Sequence, residues 1–241
     1  ATMKVTDWIM YLAAPGIFAL TATSVSNFGV GVFHDVSKYA IAILTALAIQ
    51  FFLVYPFMLK VFSKVPVGKF FGAISEAIMV AFGTASSSAT LPLTITCCEK
   101  RGISNRVCSF VLPLGATLNM DGTAIIQTIA TIFLIQMYGI ELTPLLIVEI
   151  AFLAIVASST SAGIPGAGMI TIALILNGIG LTPQQLTVGF SLMFALERLL
   201  DMFRTVCNVT SDAVVAALIA DNENELNYEL LCANSDEKAK A

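Results

Sequence analysis

Apolar positions fall in long blocks along this chain, separated by short clusters of serine, threonine, glycine, proline and charge. Residues 8–28 form the first block, with Pro15-Gly16 inside it, and residues 29–37 a short polar connection. Residues 38–62 form the second block, which ends in Lys60 and Lys64. Each is long enough to cross a bilayer, which takes roughly 20 apolar residues. The next apolar piece, 77–82, is too short for that. It follows residues 66–75, ends in the polar tip Gly83-Thr84-Ala85-Ser86-Ser87-Ser88-Ala89-Thr90-Leu91-Pro92, and is answered by a second short piece running to Cys98. Two short segments joined by a serine-rich tip predict a re-entrant helical hairpin. Residues 105–138 form a long apolar stretch with a polar interruption, 142–178 repeat the hairpin pattern, and 183–220 form a last long span.

The two hairpin tips superpose in sequence. Ser86-Ser87-Ser88-Ala89-Thr90-Leu91-Pro92 lies over Ser159-Thr160-Ser161-Ala162-Gly163-Ile164-Pro165, with four of seven positions identical and two more similar in kind. Each tip is followed by a helix that carries an Asn and an Asp, Asn119/Asp121 in the first case and Asn208/Asp212 in the second. An internal repeat of hairpin plus polar helix is the sequence sign of a secondary transporter whose discontinuous helices meet near the midplane. The pattern divides the chain into two transmembrane helices (1–65), a first hairpin with a broken helix (66–138), a second hairpin with a polar-faced last helix (139–220) and an acidic tail (221–241). The fold class is an all-α, multi-pass membrane protein with two re-entrant hairpins arranged as an inverted repeat.

Asn119-Met120-Asp121-Gly122-Thr123 interrupts the stretch 105–138 with a carboxylate and an amide where lipid-facing sequence would be Leu and Val. An unpaired buried carboxylate costs several kcal/mol or more, so Asp121 needs partners. Gly122 permits the backbone to leave helical geometry. The freed carbonyls and side-chain oxygens would suit a hard cation. A glycine-kinked helix with one satisfied polar cluster would carry the same sequence.

The last span holds a polar stripe. At about 100° per residue, Glu197, Asp201, Arg204, Thr205, Asn208 and Asp212 fall within a sector roughly 120° wide, with Arg198 at its edge. Such a stripe on an apolar span should face protein or a water-filled cavity. Arg204 offers a planar fork that matches a carboxylate, and Asp201 can pair with an ammonium. An amino acid with a second carboxylate complements both; hairpin-tip N–H groups and serines can take its α-carboxylate. A salt bridge between Asp201 and Arg204 that only locks the helix is the alternative.

Composition agrees with the pattern. The 241 residues are 57% hydrophobic and 12% charged, with mean hydropathy +0.89, against about 25% charged in soluble domains. Strand-like alternation is absent, so helices are the spanning element. The tail 221–241 has six acids and two lysines and so carries the whole net charge of −4. No basic stripe suggests nucleic acid. Lys60, Lys64, Lys69, Lys100, Arg101 and Arg106 flank the first hairpin, while 138–183 contain no Lys or Arg. By the positive-inside bias the first hairpin enters from the cytoplasm, the second from outside, and the tail is cytoplasmic. Cys97, Cys98, Cys108, Cys207 and Cys232 lack metal-ligand spacing and are expected to be buried, inert thiols. His34 is the one histidine and lies away from every serine-rich tip, which argues against an intramembrane hydrolase; an anion channel stays open as a different-class alternative.

Asn119-Met120-Asp121-Gly122-Thr123, the two tips, Ala162-Gly163-Ile164-Pro165-Gly166-Ala167-Gly168, and the run from Asp201-Met202-Phe203-Arg204 through Asn208-Val209-Thr210-Ser211-Asp212 together resemble the glutamate/aspartate:sodium symporter family, the dicarboxylate/amino acid:cation symporters. The resemblance covers all but the tail and implies the C-terminal half of such a protein, with earlier helices lying outside this chain. It implies sodium-coupled symport of L-aspartate or L-glutamate by an elevator-type movement, sodium ions as co-substrates, and a homotrimer for the complete protein. It also implies substrate contacts from Ser87, Thr123, Ile164, Gly168, Asp201, Arg204, Thr205 and Asn208. One sodium site would use Gly115, Asn119, Asn208 and Asp212; a second, carbonyls of Thr117, Ser158, Ser159 and Ser161 with the Met120 sulfur; a third, Asn119 and Asp121 with residues of an earlier helix. A C4-dicarboxylate carrier of the same family would lack Asp201, its substrate having no ammonium. A proton-coupled carrier is the other family alternative; animal relatives carry a proton on a Glu where this chain has Gln127. Two departures stand out: an Arg found in many relatives at the position of Ala85 or of Met202 is absent, with Arg198 nearby, and Glu197 replaces an Asp.

Overall fold

The computed structural model describes residues 32–164, 166–178, 180 and 182–232, and the single positions 18 and 22. The expected first span, 8–28, and Pro165 of the second tip lie outside the described residues. The described chain is helical, with one isolated antiparallel bridge, Ile103 to Leu226.

Helix α1 spans Val32–Ile49 and runs through a π-helical turn, Gln50–Val54, into α2, Tyr55–Phe62. The connection expected over 29–37 is therefore already helical from Val32. Together they offer a 29-residue apolar span, His34–Phe62. The first hairpin descends through α3 (Val67–Ala73) and α4 (Ser75–Thr84), bent by 52° at Ile74, and returns through α5 (Ser87–Lys100). Its tip is two residues long. Ala85 closes α4 with φ +50°, and Ser86 caps α5 by accepting from Ala89 N–H, the side-chain cap that serine supplies best.

Helix α6 (Asn105–Leu118) starts on Ser104, which accepts from Val107 N–H, and α7 (Asp121–Met137) continues after a break. The break falls at Asn119 and Met120, whose φ/ψ angles of −95°/71° and −104°/54° are not helical. Gly122 already lies inside α7 and is buried. The break expected within 119–123 is therefore present, and Gly122, which could have supplied it, serves close packing instead. The second hairpin is α8 (Pro144–Ser159), capped by Thr143, and α9 (Ala167–Gly178). Helix α10 (Pro183–Asn222) is 40 residues long, of which Leu196–Asn222 is the membrane-length apolar part. A short α11, Tyr228–Cys232, ends the described chain.

α10 is the axis: α1, α2, α4, α5, α6, α7 and α9 all pack against it. Two apolar clusters divide it lengthwise. One joins Tyr39, Ile43, Ile126, Leu134, Ile172, Met193 and Leu200. The other joins Tyr55, Leu59, Phe70, Leu112, Ala213, Ala216 and Ala220. Between them lies a layer of buried polar residues from Asp201 to Asp212. The outward faces are apolar, with Phe52, Phe57, Phe110, Leu145, Phe152 and Ile170 all more than 60% exposed. Apolar outside and polar at mid-depth is the distribution of a multi-pass membrane protein.

The residues after α10 fold back on the root of the first hairpin. Asn227 N–H donates to Gly102 O at 2.8 Å, Ser104 N–H donates to Glu225 O at 3.0 Å, and Leu231 is buried in the core. Four cysteines are buried as expected, but Cys232 on this segment is exposed.

Candidate functional site

Both hairpin tips reach the polar layer and touch each other. Gly163 O accepts from Ser86 Oγ at 2.7 Å and from Ser88 N–H at 3.3 Å. Asp201 and Arg204 lie beside the second tip. Asp201 Oδ1 is 2.5 Å from Arg204 Nη2, both side chains are no more than 4% exposed, and Gly166 N–H donates to Asp201 Oδ2 at 3.3 Å. Arg204 Nη1 donates to Thr123 Oγ1 at 3.3 Å, while its buried Nε has no partner. These two residues wall a small closed cavity of about 10 Å³ with Thr123, Gly168, Gln127 and Glu197. A volume of that size is at the threshold for one water molecule. In this form the site is closed.

Of the residues proposed to touch substrate, Thr123, Gly168, Asp201 and Arg204 therefore share one cavity. Thr205 donates to Asp201 O at 2.8 Å and Asn208 donates to Thr123 Oγ1 at 3.0 Å, so both stand directly behind it. Ser87 is buried at the start of α5, outside the cavity wall. The Ile164 side chain is 53% exposed at the second tip and does not line the cavity.

The proposed cation ligands gather where α6 breaks. Asn119 Nδ2 donates to Asp212 Oδ1 at 3.0 Å and to Ser211 Oγ at 2.9 Å. A Cβ on Gly115 would stand 2.5 Å from Asp212 Oδ1, and one on Gly122 would stand 2.7 Å from Arg204 O and 2.9 Å from Asn208 Oδ1. Only glycine lets the two half-helices approach α10 this closely. Met120 Sδ accepts from Asn208 Nδ2 at 3.2 Å, which leaves Asn208 Oδ1 buried and unpartnered. The Ser161 hydroxyl is buried and unpartnered as well. Oxygens of this kind fit a hard cation, which prefers carbonyl and carboxylate oxygen. Ser158, Ser159 and Thr117 turn their hydroxyls back onto carbonyls of their own helices, and Thr117 is exposed.

Asp121 has partners that the sequence reading did not assign. Its Oδ2 accepts from Gln50 Nε2 at 2.9 Å and from Tyr55 Oη at 2.6 Å; its Oδ1 accepts from Gly122 N–H at 2.8 Å. A glutamine inside an apolar span, beside a carboxylate that needs donors, was the available signal. Ser211, next to Asp212 on the stripe, was missed in the same way.

A model of the sodium:dicarboxylate symporter family matches residues 1–222. This chain belongs to that family. Among curated members it is 39% identical over 221 residues to glt-4 of Caenorhabditis elegans, which bears the name of a sodium-dependent excitatory amino acid transporter. It is 37% identical over 222 residues to the neutral amino acid transporter B(0) of Mus musculus, and 36% identical over 223 residues to excitatory amino acid transporter 1 of Homo sapiens. These matches cover 90%, 91% and 91% of this chain, and 44%, 39% and 40% of the relatives. The chain thus spans about two fifths of the length of these symporters. Both hairpin tips, the Asn119–Met120 break and the polar stripe of α10 lie inside the matched symporter segment.

Proposed function

We propose that the complete protein containing this chain is a sodium-coupled symporter for an acidic amino acid, L-aspartate or L-glutamate, acting by transport and not by catalysis. The observation that carries this reading is the buried Asp201–Arg204 pair on the wall of the site. A substrate with an ammonium and a side-chain carboxylate offers each partner a replacement: its ammonium takes Asp201 and its carboxylate takes Arg204. A neutral amino acid replaces one partner only and strands the guanidinium, and a stranded buried charge is costly. A C4-dicarboxylate strands Asp201. The α-carboxylate would meet the serine-rich tips, which part to admit it. Sodium would bind at Gly115, Asn119, Asp212 and the free oxygen of Asn208, at the carbonyls of Thr117, Ser158, Ser159 and Ser161 with the Met120 sulfur, and at Asn119 and Asp121, so that cations assemble the broken helix against α10.

The charge distribution supports a first hairpin entering from the cytoplasm, a second from outside, and a cytoplasmic tail in the cell membrane. The family supports an elevator movement and a homotrimer. The test is uptake of labelled aspartate and labelled succinate by the complete protein in vesicles, with and without a sodium gradient. Aspartate uptake that needs the gradient and ignores succinate is expected. Uptake without sodium, or preference for succinate, would defeat the reading.

A further inference from the structure

The π turn between α1 and α2 aims two side chains at one oxygen. Tyr55 N–H donates to Gln50 O, an i→i+5 bond that defines the turn. In an α-helix two residues five apart point about 140° away from each other. The extra residue of the π turn brings Gln50 and Tyr55 onto one face, and both donate to Asp121 Oδ2. Such insertions recur at functional sites. None of its five residues is fully buried, although Phe51 packs against both apolar clusters.

Tyr55 has a second acceptor within reach. Its hydroxyl is 2.6 Å from Asp121 Oδ2 and 3.1 Å from Cys207 O on α10. A phenol has one proton to give, and the nearer, charged acceptor holds it. The carbonyl of Cys207 sits one residue before Asn208 and three after Arg204. Asp121 Oδ1 accepts from Gly122 N–H, Oδ2 already has two donors, and the Ser211 hydroxyl lies close to the same carboxylate.

We propose that Gln50 and Tyr55 are resident counter-donors of Asp121: they hold its charge when no cation is bound and yield it when one arrives. This rests on the reading of Asp121 as a sodium ligand. A transported ion must leave as readily as it enters, and a buried carboxylate with no donors would hold its cation too well. As the cation binds, the Tyr55 proton turns from Asp121 to the Cys207 carbonyl and loses no hydrogen bond. The occupancy of Asp121 is thereby passed to the stretch of α10 that carries Arg204 and Asn208. Gln50 and Tyr55 are positioning residues; neither is assigned as a cation ligand.

The experiment follows the sodium-dependent rise in thermal unfolding temperature of the purified complete protein at alkaline pH, without substrate; stabilisation by a ligand reports its affinity for the folded state. Asp121→Asn tests the underlying reading: it should blunt the sodium response. If wild type and Asp121→Asn respond alike, Asp121 is no sodium ligand and the proposal falls with that reading. If Asp121→Asn is blunted, Tyr55→Phe and Gln50→Leu decide the proposal by itself. Each should lower the midpoint sodium concentration by roughly fivefold or more, since hydrogen bonds to charged groups are among the stronger ones. Gln50→Lys brings a tethered ammonium to Asp121 and should blunt the response as far as Asp121→Asn does, while keeping a folded, stable protein. Unchanged or raised midpoints in Tyr55→Phe and Gln50→Leu overturn the proposal, because a merely structural pair lowers the sodium-free unfolding temperature without tightening sodium.

Discussion

Arg204 and Asp201, three residues apart on α10, hold each other at 2.5 Å with both side chains buried. Each group that would grip an acidic amino acid thus satisfies the other while the hairpin tips are together. On the proposed function, substrate binding would be an exchange of ion pairs inside a protected layer. The arrangement avoids leaving either charge alone in a low-dielectric site, which would cost several kcal/mol in practice.

Exchange predicts a selective loss. Arg204→Cys should weaken aspartate by well over tenfold, since a charge-assisted pair contributes roughly 1.5–3 kcal/mol and about 1.4 kcal/mol is tenfold. Serine and alanine, which bring no second carboxylate, should lose less or be admitted. Competition of aspartate and serine against labelled substrate in the complete protein checks this. Equal loss for both, with lowered expression, would make the pair a helix lock instead.

Gly115 is predicted to be a sodium determinant with no ligand atom in its side chain. A methyl group there would meet Asp212 Oδ1 at 2.5 Å and push the carboxylate from Asn119. Gly115→Ala should raise the half-saturating sodium concentration by tenfold or more, roughly the effect of losing one charge-assisted hydrogen bond. Sodium titration of uptake, beside a check of expression and oligomer size, measures it; an unaltered sodium curve would separate Gly115 from the cation site.

Gln127 puts an amide, which cannot titrate, on the cavity wall beside Glu197 and Asp201. Its amide donates to Thr171, whose hydroxyl donates to Gly168 O at 2.8 Å, so the amide orientation is set and the buried Oε1 is left without a partner. A glutamine carries no proton in transport. Uptake in reconstituted vesicles should move no proton through this position and require no internal potassium. Gln127→Glu should make aspartate uptake pH-dependent. A potassium requirement in the wild type would contradict the expectation.

The opposed charge around the two hairpins predicts opposite sidedness. Single cysteines at Asn105 and Gly180, placed in a cysteine-less complete protein, should react with an impermeant thiol reagent from opposite faces of the membrane. Reaction of both from one face would remove the inverted repeat.

Much of the architecture is legible in the sequence. The serine-rich tips, the short flanking segments and the 183–220 span appear in the structure as α4–α5, α8–α9 and α10, because the length of an apolar run and the placement of Gly, Pro and Ser are local properties. The stripe from Asp201 to Asp212 was legible for the same reason: helical period alone puts those residues on one face, and burial then follows from the cost of exposing them to lipid.

Tertiary structure alone decided who partners whom. Asp121 had to find donors, but that they come from Gln50 and Tyr55, some seventy residues earlier, depends on a π turn with no sequence signal and on how α1 crosses α7. Within 119–123 the break falls at Asn119–Met120, and Gly122 is needed where α7 meets α10, in a space set by Arg204 and Asn208. The pairing of Asp201 with Arg204 was one of two geometries open to the sequence, and it is the one found with the tips together: in a site closed to about 10 Å³ the two charges meet directly, with Gly166 N–H and Thr123 completing their contacts. Local chemistry determines which residues must be satisfied; only the packed fold determines by what.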